Sequence, residues 1–139
     1  MNIHTIILAA GEGTRMISNK AKSLQPIGGQ SMLKRIYETV SDITTETSVV
    51  VGYGKESIIK EAEEFVGDIN ICVQEEPIGT ADAVKIALSS IPQESQALIL
   101  YGDVPLIKLE TLKKMLSIDK KSLTILTTKL EDPTGYGLS

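Results

Sequence analysis

Residues 5–16 have the sequence TIILAAGEGTRM, in which a short apolar run passes into a glycine-rich turn. The run is rich in isoleucine and leucine and is bounded by glycine, so it predicts a buried strand from Thr5 to Ala9. Glycines at such a place let the backbone approach a ligand closely, and the exposed N–H groups of the turn cradle anions. The stretch therefore predicts a strand that leads into a phosphate-binding loop.

Similar apolar runs recur along the chain and alternate with segments of helical period. They predict further strands at Ser48 to Val51, Ile69 to Val73, Ala97 to Tyr101 and Leu123 to Thr127. Apolar residues three and four apart predict amphipathic helices within residues 32–40, 58–65, 83–88 and 109–116. This order is typical of one α/β domain with a Rossmann-like, doubly wound, mainly parallel sheet and helices on both faces. Ligands of such sheets bind at the carboxyl ends of the strands.

Composition excludes several classes of protein. The 42% hydrophobic and 23% charged residues are typical of a soluble globular domain. The net charge of −4, with no basic run, argues against a nucleic-acid partner. No apolar run is long enough to cross a membrane, and the amino terminus does not have the pattern of a signal peptide, so we expect a cytoplasmic protein.

The single cysteine is interpreted as structural, and the single histidine as structural or solvated. Cys72 lies between Ile71 and Val73, a setting that favours a buried thiol over a catalytic one. His4 opens the first predicted strand and has no cysteine, serine or carboxylate at a suggestive spacing. The sequence has no cluster of the kind that binds zinc.

The glycine-rich turn does not match either of the commonest phosphate motifs. Gly11 and Gly13 are followed by Met16 where a third glycine would complete the dinucleotide motif, and no P-loop lysine follows directly. A tight turn alone explains the glycine pair equally well. Arg15 and Lys22 favour the functional interpretation, because a guanidinium and an ammonium together can hold a triphosphate and stabilise charge on its α-phosphate.

With Lys22 and the following LQPI at 24–27, the stretch LAAGEGTRM resembles the signature of sugar-phosphate nucleotidyltransferases. The resemblance implies phosphate contacts from Arg15 and Lys22. It implies nucleotide contacts from the preceding strand end and turn, namely Leu8, Ala9, Ala10, Gly11 and Gly13. Ala21 departs from the pattern, since a proline often precedes the lysine.

A second segment, QEEPIGTADA at 74–83, follows the third predicted strand. The Gln74 amide has the donor and acceptor needed to recognise a pyrimidine edge, and Gly79 and Thr80 offer backbone and hydroxyl groups at a helix start. An ordinary helix with Thr80 as its N-cap is the plainer alternative. The segment resembles the uracil-binding stretch of UTP-specific nucleotidyltransferases, which implies uracil contacts from Gln74, Gly79 and Thr80.

A third segment, LYGDVPL at 100–106, places Asp103 at the end of a buried strand. A carboxylate there suits a hard cation such as Mg²⁺, although an aspartate that caps the next turn is a common alternative. The segment resembles the metal-binding strand end of uridylyltransferases. The resemblance implies that Asp103 binds magnesium and that Tyr101 and Gly102 lie near the sugar.

The fourth segment, LEDPTGYG at 130–137, is a turn by composition and resembles the sugar-side loop of the same enzymes. The resemblance implies that Gly137 lies near an N-acetyl group. Leu138 departs from the pattern because a basic residue usually follows, so a charged contact from that position is in question.

Together the four segments resemble the N-terminal uridylyltransferase domain of the bifunctional N-acetylglucosamine-1-phosphate uridylyltransferase/glucosamine-1-phosphate acetyltransferases. The resemblance implies synthesis of UDP-N-acetylglucosamine and pyrophosphate from UTP and N-acetylglucosamine 1-phosphate, for cell-envelope precursors, with Mg²⁺ and with Arg15, Lys22 and Asp103 as the catalytic residues. It also implies a homotrimeric parent protein, whose acetyltransferase β-helix has no counterpart in these residues.

Two alternatives remain open at this point. A relative with another sugar or base would catalyse the same chemistry, and a nucleotide-binding module without activity would share the fold. The sequence stops at Ser139, two residues after the fourth segment, so we expect an incomplete sugar pocket, little activity of the chain alone and a tendency to associate.

Overall fold

The computed structural model describes residues 2–11, 21–52, 54–65, 68–118, 122–132 and 134. Two compact units are present, one spanning residues 1–107 and the other residues 108–139. The first unit contains a 3-10 turn at Lys22–Leu24 and the elements β1 Ile3–Leu8, β2 Pro26–Ile27, β3 Gln30–Ser31, α1 Met32–Val40, β4 Glu46–Val51, α2 Lys55–Ala62, β5 Ile69–Val73, α3 Thr80–Leu88 and β6 Gln96–Tyr101. The second unit contains α4 Leu109–Ser117.

Four strands of the first unit form a parallel sheet in the order β5-β4-β1-β6. β1 is an inner strand, and its Ile7 is paired with Val49 of β4 on one side and with Leu100 of β6 on the other. The predicted parallel α/β sheet is therefore confirmed, with strand ends that differ from the prediction by at most two residues. Because all four strands run the same way, their carboxyl ends share one edge of the sheet.

Both faces of the sheet are buried at its centre. Successive strand residues point to opposite faces, and Ile6 and Ile7 are both 0% exposed. On the face of Ile6, the strands pack against Ala83 and Ala87 of α3. Burial of both faces explains why β1 and β4 read as continuous apolar runs rather than as alternating ones.

Cys72 and His4 both pack within the fold, so His4 is structural and not solvated. Cys72 is half-buried and packs against the cluster that contains Ile6 and Val50. His4 is buried, and its Nε2 lies 2.8 Å from the Ser48 hydroxyl while its Nδ1 lies 3.5 Å from the Glu46 carboxylate. Burial lowers the pKa of His4, and the negative charge of Glu46 opposes that shift.

A short antiparallel pair, β2 with β3, was missed by the sequence analysis. Gly28 and Gly29 form its turn with φ values of +57° and +84°, which side-chain-bearing residues rarely adopt. Arg35 of α1 holds the turn, because its Nε donates to the Ile27 carbonyl at 2.7 Å and Nη2 donates to the Gly28 carbonyl at 3.2 Å.

The predicted strand from Leu123 to Thr127 is wrong. These residues belong to the second unit and form neither helix nor strand, and Leu123 is 85% exposed. Apolar, β-branched composition stabilises a strand only through a neighbour to pair and pack with, and these residues have no strand partner in the described part of the chain. Within the described ranges, no helix is long and apolar enough to span a membrane.

Candidate functional site

A cleft of about 460 Å³ lies in the first unit, at the carboxyl ends of β1, β5 and β6. Its walls come from the three loops that follow these strands, from the start of α3 and from the 3-10 turn. The lining residues are Leu8, Ala9, Ala10, Gly11, Lys22, Ser23, Gln74, Pro77, Gly79, Thr80, Tyr101, Gly102 and Asp103. The cleft is where a parallel α/β sheet is expected to bind its ligand.

The structure brings together most of the residues singled out in the sequence. Three segments far apart in the chain, at 8–11, 74–80 and 101–103, meet with Lys22 around the same space. Gly13, Arg15 and Gly137 lie outside the described residues. Ser23 and Pro77 line the cleft without having been predicted, because neither residue type carries a signal of its own beside a phosphate loop or a helix start.

Lys22 and Asp103 form an ion pair in the cleft. The lysine Nζ donates to Asp103 Oδ2 at 2.6 Å, and the two side chains are 43% and 34% exposed. An ion pair this open to water contributes little to the stability of the fold, so a role in ligand binding explains its position in the cleft better than a structural role does. The pair places one cation and one carboxylate where a triphosphate and its metal would need both.

Gly102 lets the end of β6 lie against the end of β1. Its N–H donates to the Leu8 carbonyl at 2.8 Å. A Cβ at this position would lie only 2.8 Å from that same carbonyl oxygen and 3.3 Å from the Ser23 Cβ. Glycine is therefore required by packing, and the close approach sets the position of the next residue, Asp103.

Ser23 is buried beside Gly102, and its hydroxyl has no hydrogen-bond partner among the described residues. A buried polar group of this kind is uncommon in folded proteins, since its desolvation is left uncompensated. It is therefore a functional residue candidate that sequence reasoning did not find.

Gln74 is held by three hydrogen bonds and is 7% exposed. Its backbone N–H donates to the Val51 carbonyl at 2.8 Å, which fixes it to the end of β4. Its side-chain Nε2 donates to the Gly79 carbonyl at 3.1 Å and to Asp82 Oδ2 at 2.9 Å. The amide is therefore a rigid part of the cleft wall rather than a mobile surface group.

The start of α3 forms another part of that wall. Gly79 is the N-cap residue, with φ +130°, and Thr80 is the first helical residue. The alternative in which Thr80 caps the helix is therefore wrong, because the chain turns at the glycine one residue earlier. No side chain of the described residues caps this helix, so its first N–H groups give the cleft a positive partial charge that favours anions.

The cleft residues fit a magnesium ion that is shared with a ligand, rather than one that only the protein binds. The described residues contain no group of three or more acidic, histidine or cysteine side chains arranged for a metal. Asp103 is a single, partly exposed carboxylate in the cleft. Mg²⁺ commonly binds one or two carboxylates and completes its shell with phosphate oxygens and waters, which matches this donor set.

Comparison with known proteins gives relatives over almost the whole chain. The chain is 43% identical over 137 residues to the bifunctional protein GlmU of Thermotoga petrophila, an alignment that covers 97% of this chain and 30% of that protein. This chain thus spans about a third of the length of the curated relatives that it matches.

Solved structures share the fold. The 4-diphosphocytidyl-2C-methyl-D-erythritol synthase of Anaerococcus prevotii superposes with a TM-score of 0.68 and 26% identity, over 86% of this chain and 51% of that one. Rv0371c of Mycobacterium tuberculosis in complex with manganese has a TM-score of 0.67 and 18% identity, over 84% of this chain and 59% of that one.

The family model of the MobA-like NTP transferase domain matches residues 5–133, which include the three strand ends and the helix start that form the cleft. The match covers most of the chain, and the chain belongs to the family of MobA-like NTP transferase domains.

Proposed function

We propose that this chain is the nucleotide-binding part of a magnesium-dependent uridylyltransferase that acts on N-acetylglucosamine 1-phosphate. The observation that carries the proposal is the cleft, in which the Gln74 amide, the uncapped start of α3 and the Lys22–Asp103 pair surround the same 460 Å³. The amide matches a nucleotide base, and the positive start of α3 favours an anionic ligand. The ion pair offers a cation for phosphate and a carboxylate for a metal. The likeness to the GlmU relatives supports N-acetylglucosamine 1-phosphate as the second substrate.

The proposed reaction is an in-line displacement. A phosphate oxygen of N-acetylglucosamine 1-phosphate attacks the α-phosphorus of UTP, a new P–O bond forms, and the bond to pyrophosphate breaks to give UDP-N-acetylglucosamine. Little covalent work falls on the protein, because positioning and charge stabilisation account for most of the catalysis in reactions of this type.

Several residues of the cleft have a defined part in this scheme. Gly11 and the start of α3 contact the nucleoside, and Lys22 binds the phosphates and neutralises charge that develops as pyrophosphate leaves. Asp103 would hold Mg²⁺, which when bound supplies positive charge between the reacting phosphates. Tyr101 and Gly102 contact the sugar in this scheme. Arg15, Gly13 and Gly137 keep the parts that the sequence resemblance gives them.

The proposal extends to the biological setting implied by the resemblance. The product would serve cell-envelope synthesis, that is, peptidoglycan and lipopolysaccharide precursors, in the cytoplasm of the organism. The longer parent protein would be a homotrimer with a second, acetyltransferase activity.

Nucleotide binding tests the proposal directly. Calorimetric titration of the chain with UTP, CTP, ATP and GTP in the presence of Mg²⁺ should give the tightest binding for UTP. Arg15→Ala and Lys22→Ala should each weaken UTP binding, whereas Lys34→Ala, which replaces a lysine of α1 outside the cleft lining, should not. Equal affinity for all four nucleotides would contradict the assignment of Gln74 to uracil, and normal UTP binding by both the Arg15 and the Lys22 variant would contradict the phosphate assignment.

A pyrophosphate-release assay with UTP, N-acetylglucosamine 1-phosphate and Mg²⁺ tests the reaction. Because Asp103 is a lone carboxylate in the described cleft, we propose that the chain alone turns over far more slowly than the Thermotoga petrophila relative. Turnover within about tenfold of that relative, or ~1.4 kcal/mol in barrier height, would show that these residues form a complete enzyme.

A second function, cytidylyl transfer, is suggested by the likeness to the Anaerococcus prevotii synthase. It predicts tighter binding of CTP than of UTP. The same titration therefore distinguishes the two functions.

A further inference from the structure

The Gln74 amide has only one possible orientation in this cleft. Its Nε2 lies 3.1 Å from the Gly79 carbonyl oxygen and 2.9 Å from Asp82 Oδ2. A backbone carbonyl and a carboxylate both accept hydrogen bonds and neither donates one, so only the NH₂ side of the amide can face them. The identity of the neighbours thus assigns the two ends of this amide, which geometry alone often leaves ambiguous.

This orientation determines what Gln74 can offer to a ligand. Both amide hydrogens donate to the protein, so the group available to a ligand in the cleft is the carbonyl oxygen Oε1, an acceptor. The pyrimidines differ at ring atom N3, where uracil carries a hydrogen and cytosine an unprotonated nitrogen. A fixed acceptor therefore favours uracil and opposes cytosine, whereas a freely rotating amide would accommodate either base.

Of the two groups that hold the amide, Asp82 is the charged one. It is the third residue of α3 and is partly buried. Hydrogen bonds to a carboxylate are stronger than those to a neutral carbonyl, so Asp82 contributes more to the orientation than Gly79 does. We propose that Asp82 is a positioning residue for base choice, which orients Gln74 as an acceptor and makes the cleft select UTP over CTP.

This inference rests on the proposed function, since it assigns Gln74 to the base. Its structural alternative is that Asp82 only stabilises the start of α3, as an acidic residue in a first turn does. The two interpretations differ in one measurable quantity, which is the ratio of the affinities for UTP and CTP. Stabilisation of a helix does not depend on which nucleotide is bound.

The test is calorimetric titration of UTP and CTP, with Mg²⁺, into the unaltered chain and into the variants Asp82→Ala and Asp82→Asn. Asp82→Ala should lower the UTP-to-CTP affinity ratio by about tenfold, the effect of losing one charge-assisted hydrogen bond on the amide. Asp82→Asn keeps the side-chain shape and an accepting oxygen, so its ratio should fall by about threefold. It also keeps the test valid if the alanine variant unfolds.

Glu56→Ala is the matched control. Glu56 lies in the first turn of α2, which also starts after a glycine N-cap without a side-chain cap within the described chain, but it is exposed and does not line the cleft. This variant should leave the ratio unchanged. If the unaltered chain prefers UTP and either folded Asp82 variant retains that ratio, the inference is overturned while the proposed function stands. If the unaltered chain does not prefer UTP, the proposed function fails first.

Discussion

Asp103 is the residue on which, in the proposed function, metal-assisted binding would depend. If Asp103 holds Mg²⁺ against the triphosphate, Asp103→Asn should abolish the gain in UTP affinity that Mg²⁺ gives, a loss of roughly tenfold or more, because an amide lacks the charge that the ion favours. The fold should persist, since the ion pair with Lys22 is largely exposed to water and is worth at most about 1 kcal/mol. Titration with UTP in the presence and absence of Mg²⁺ measures the effect.

The control for this experiment is Asp42→Asn, at an exposed turn position after α1. It should behave as the unaltered chain does. Retention of the full Mg²⁺ effect by Asp103→Asn would show that Asp103 is a turn residue and not a metal ligand.

We expect His4 to make the stability of the fold depend on pH. Burial holds the pKa of His4 below its ordinary value of 6.5, against the opposing effect of Glu46, so the unfolded state takes up a proton before the folded state does. The contribution of the neutral histidine to stability is complete above 6.5 and is lost as the pH falls below that value.

Urea unfolding at about pH 7.5 and about pH 5.5 measures this dependence. We expect the unaltered chain to lose more stability between the two conditions than His4→Gln does, because glutamine does not titrate. Equal losses in both proteins would show that His4 does not cause the effect.

At the scale of elements, the ends of β1 and β6 meet through Gly102. Gly102→Ala places a Cβ 2.8 Å from the Leu8 backbone oxygen, which cannot move without disturbing the sheet. We expect a loss of about 1–3 kcal/mol in the free energy of unfolding, as for other overpacked sites, together with weaker UTP binding.

Gly11→Ala is the comparison, because a Cβ at Gly11 meets no atom of the described residues within 4 Å. It should change the unfolding free energy by less than about 0.5 kcal/mol. Thermal or urea unfolding of the two variants provides the measurement. If the Gly102 variant is as stable as the Gly11 variant, the ends of β1 and β6 can move apart at no cost in unfolding free energy, and the close approach at Gly102 is not required.

The elements also show what the sequence could and could not predict. The parallel strands could be predicted because their apolar runs are visible in the local sequence. Since Gly11, Gln74 and Asp103 each follow such a strand, the sequence also predicted that they lie at one edge of the sheet. The pairing of Lys22 with Asp103 and of Gln74 with Asp82 could not be predicted, because each depends on side-chain directions between segments remote in the chain.

Two errors about strands have a common physical cause. The pattern at residues 123–127 is strand-like, but a strand is defined by its neighbour, and the pattern does not specify one. The strands β2 and β3 of the missed hairpin are two residues each, too short to show a period. In both cases the deciding interaction lies outside the local sequence.

At the scale of the whole molecule, a ligand that binds only the folded cleft must stabilise the chain against heat. UTP with Mg²⁺ at about one hundred times its dissociation constant should add ~2.7 kcal/mol to the free energy of unfolding and raise the midpoint by several degrees. CTP at the same concentration should raise it less. A scan in which UTP gives no shift beyond that of Mg²⁺ alone would contradict binding to this cleft.

The inner position of β1 has a consequence for how the sheet is made. β1 precedes both of its neighbours in the chain, and its register pairs Leu8 with Val50 and with Tyr101. During synthesis, β1 cannot pair on either side until β4, and then β6, has left the ribosome. Such non-local pairing is slow, and it leaves apolar segments exposed to solvent until it is complete. A nascent chain halted before β6 should therefore be a substrate for chaperones, and it should become resistant to their capture only after Tyr101 has emerged.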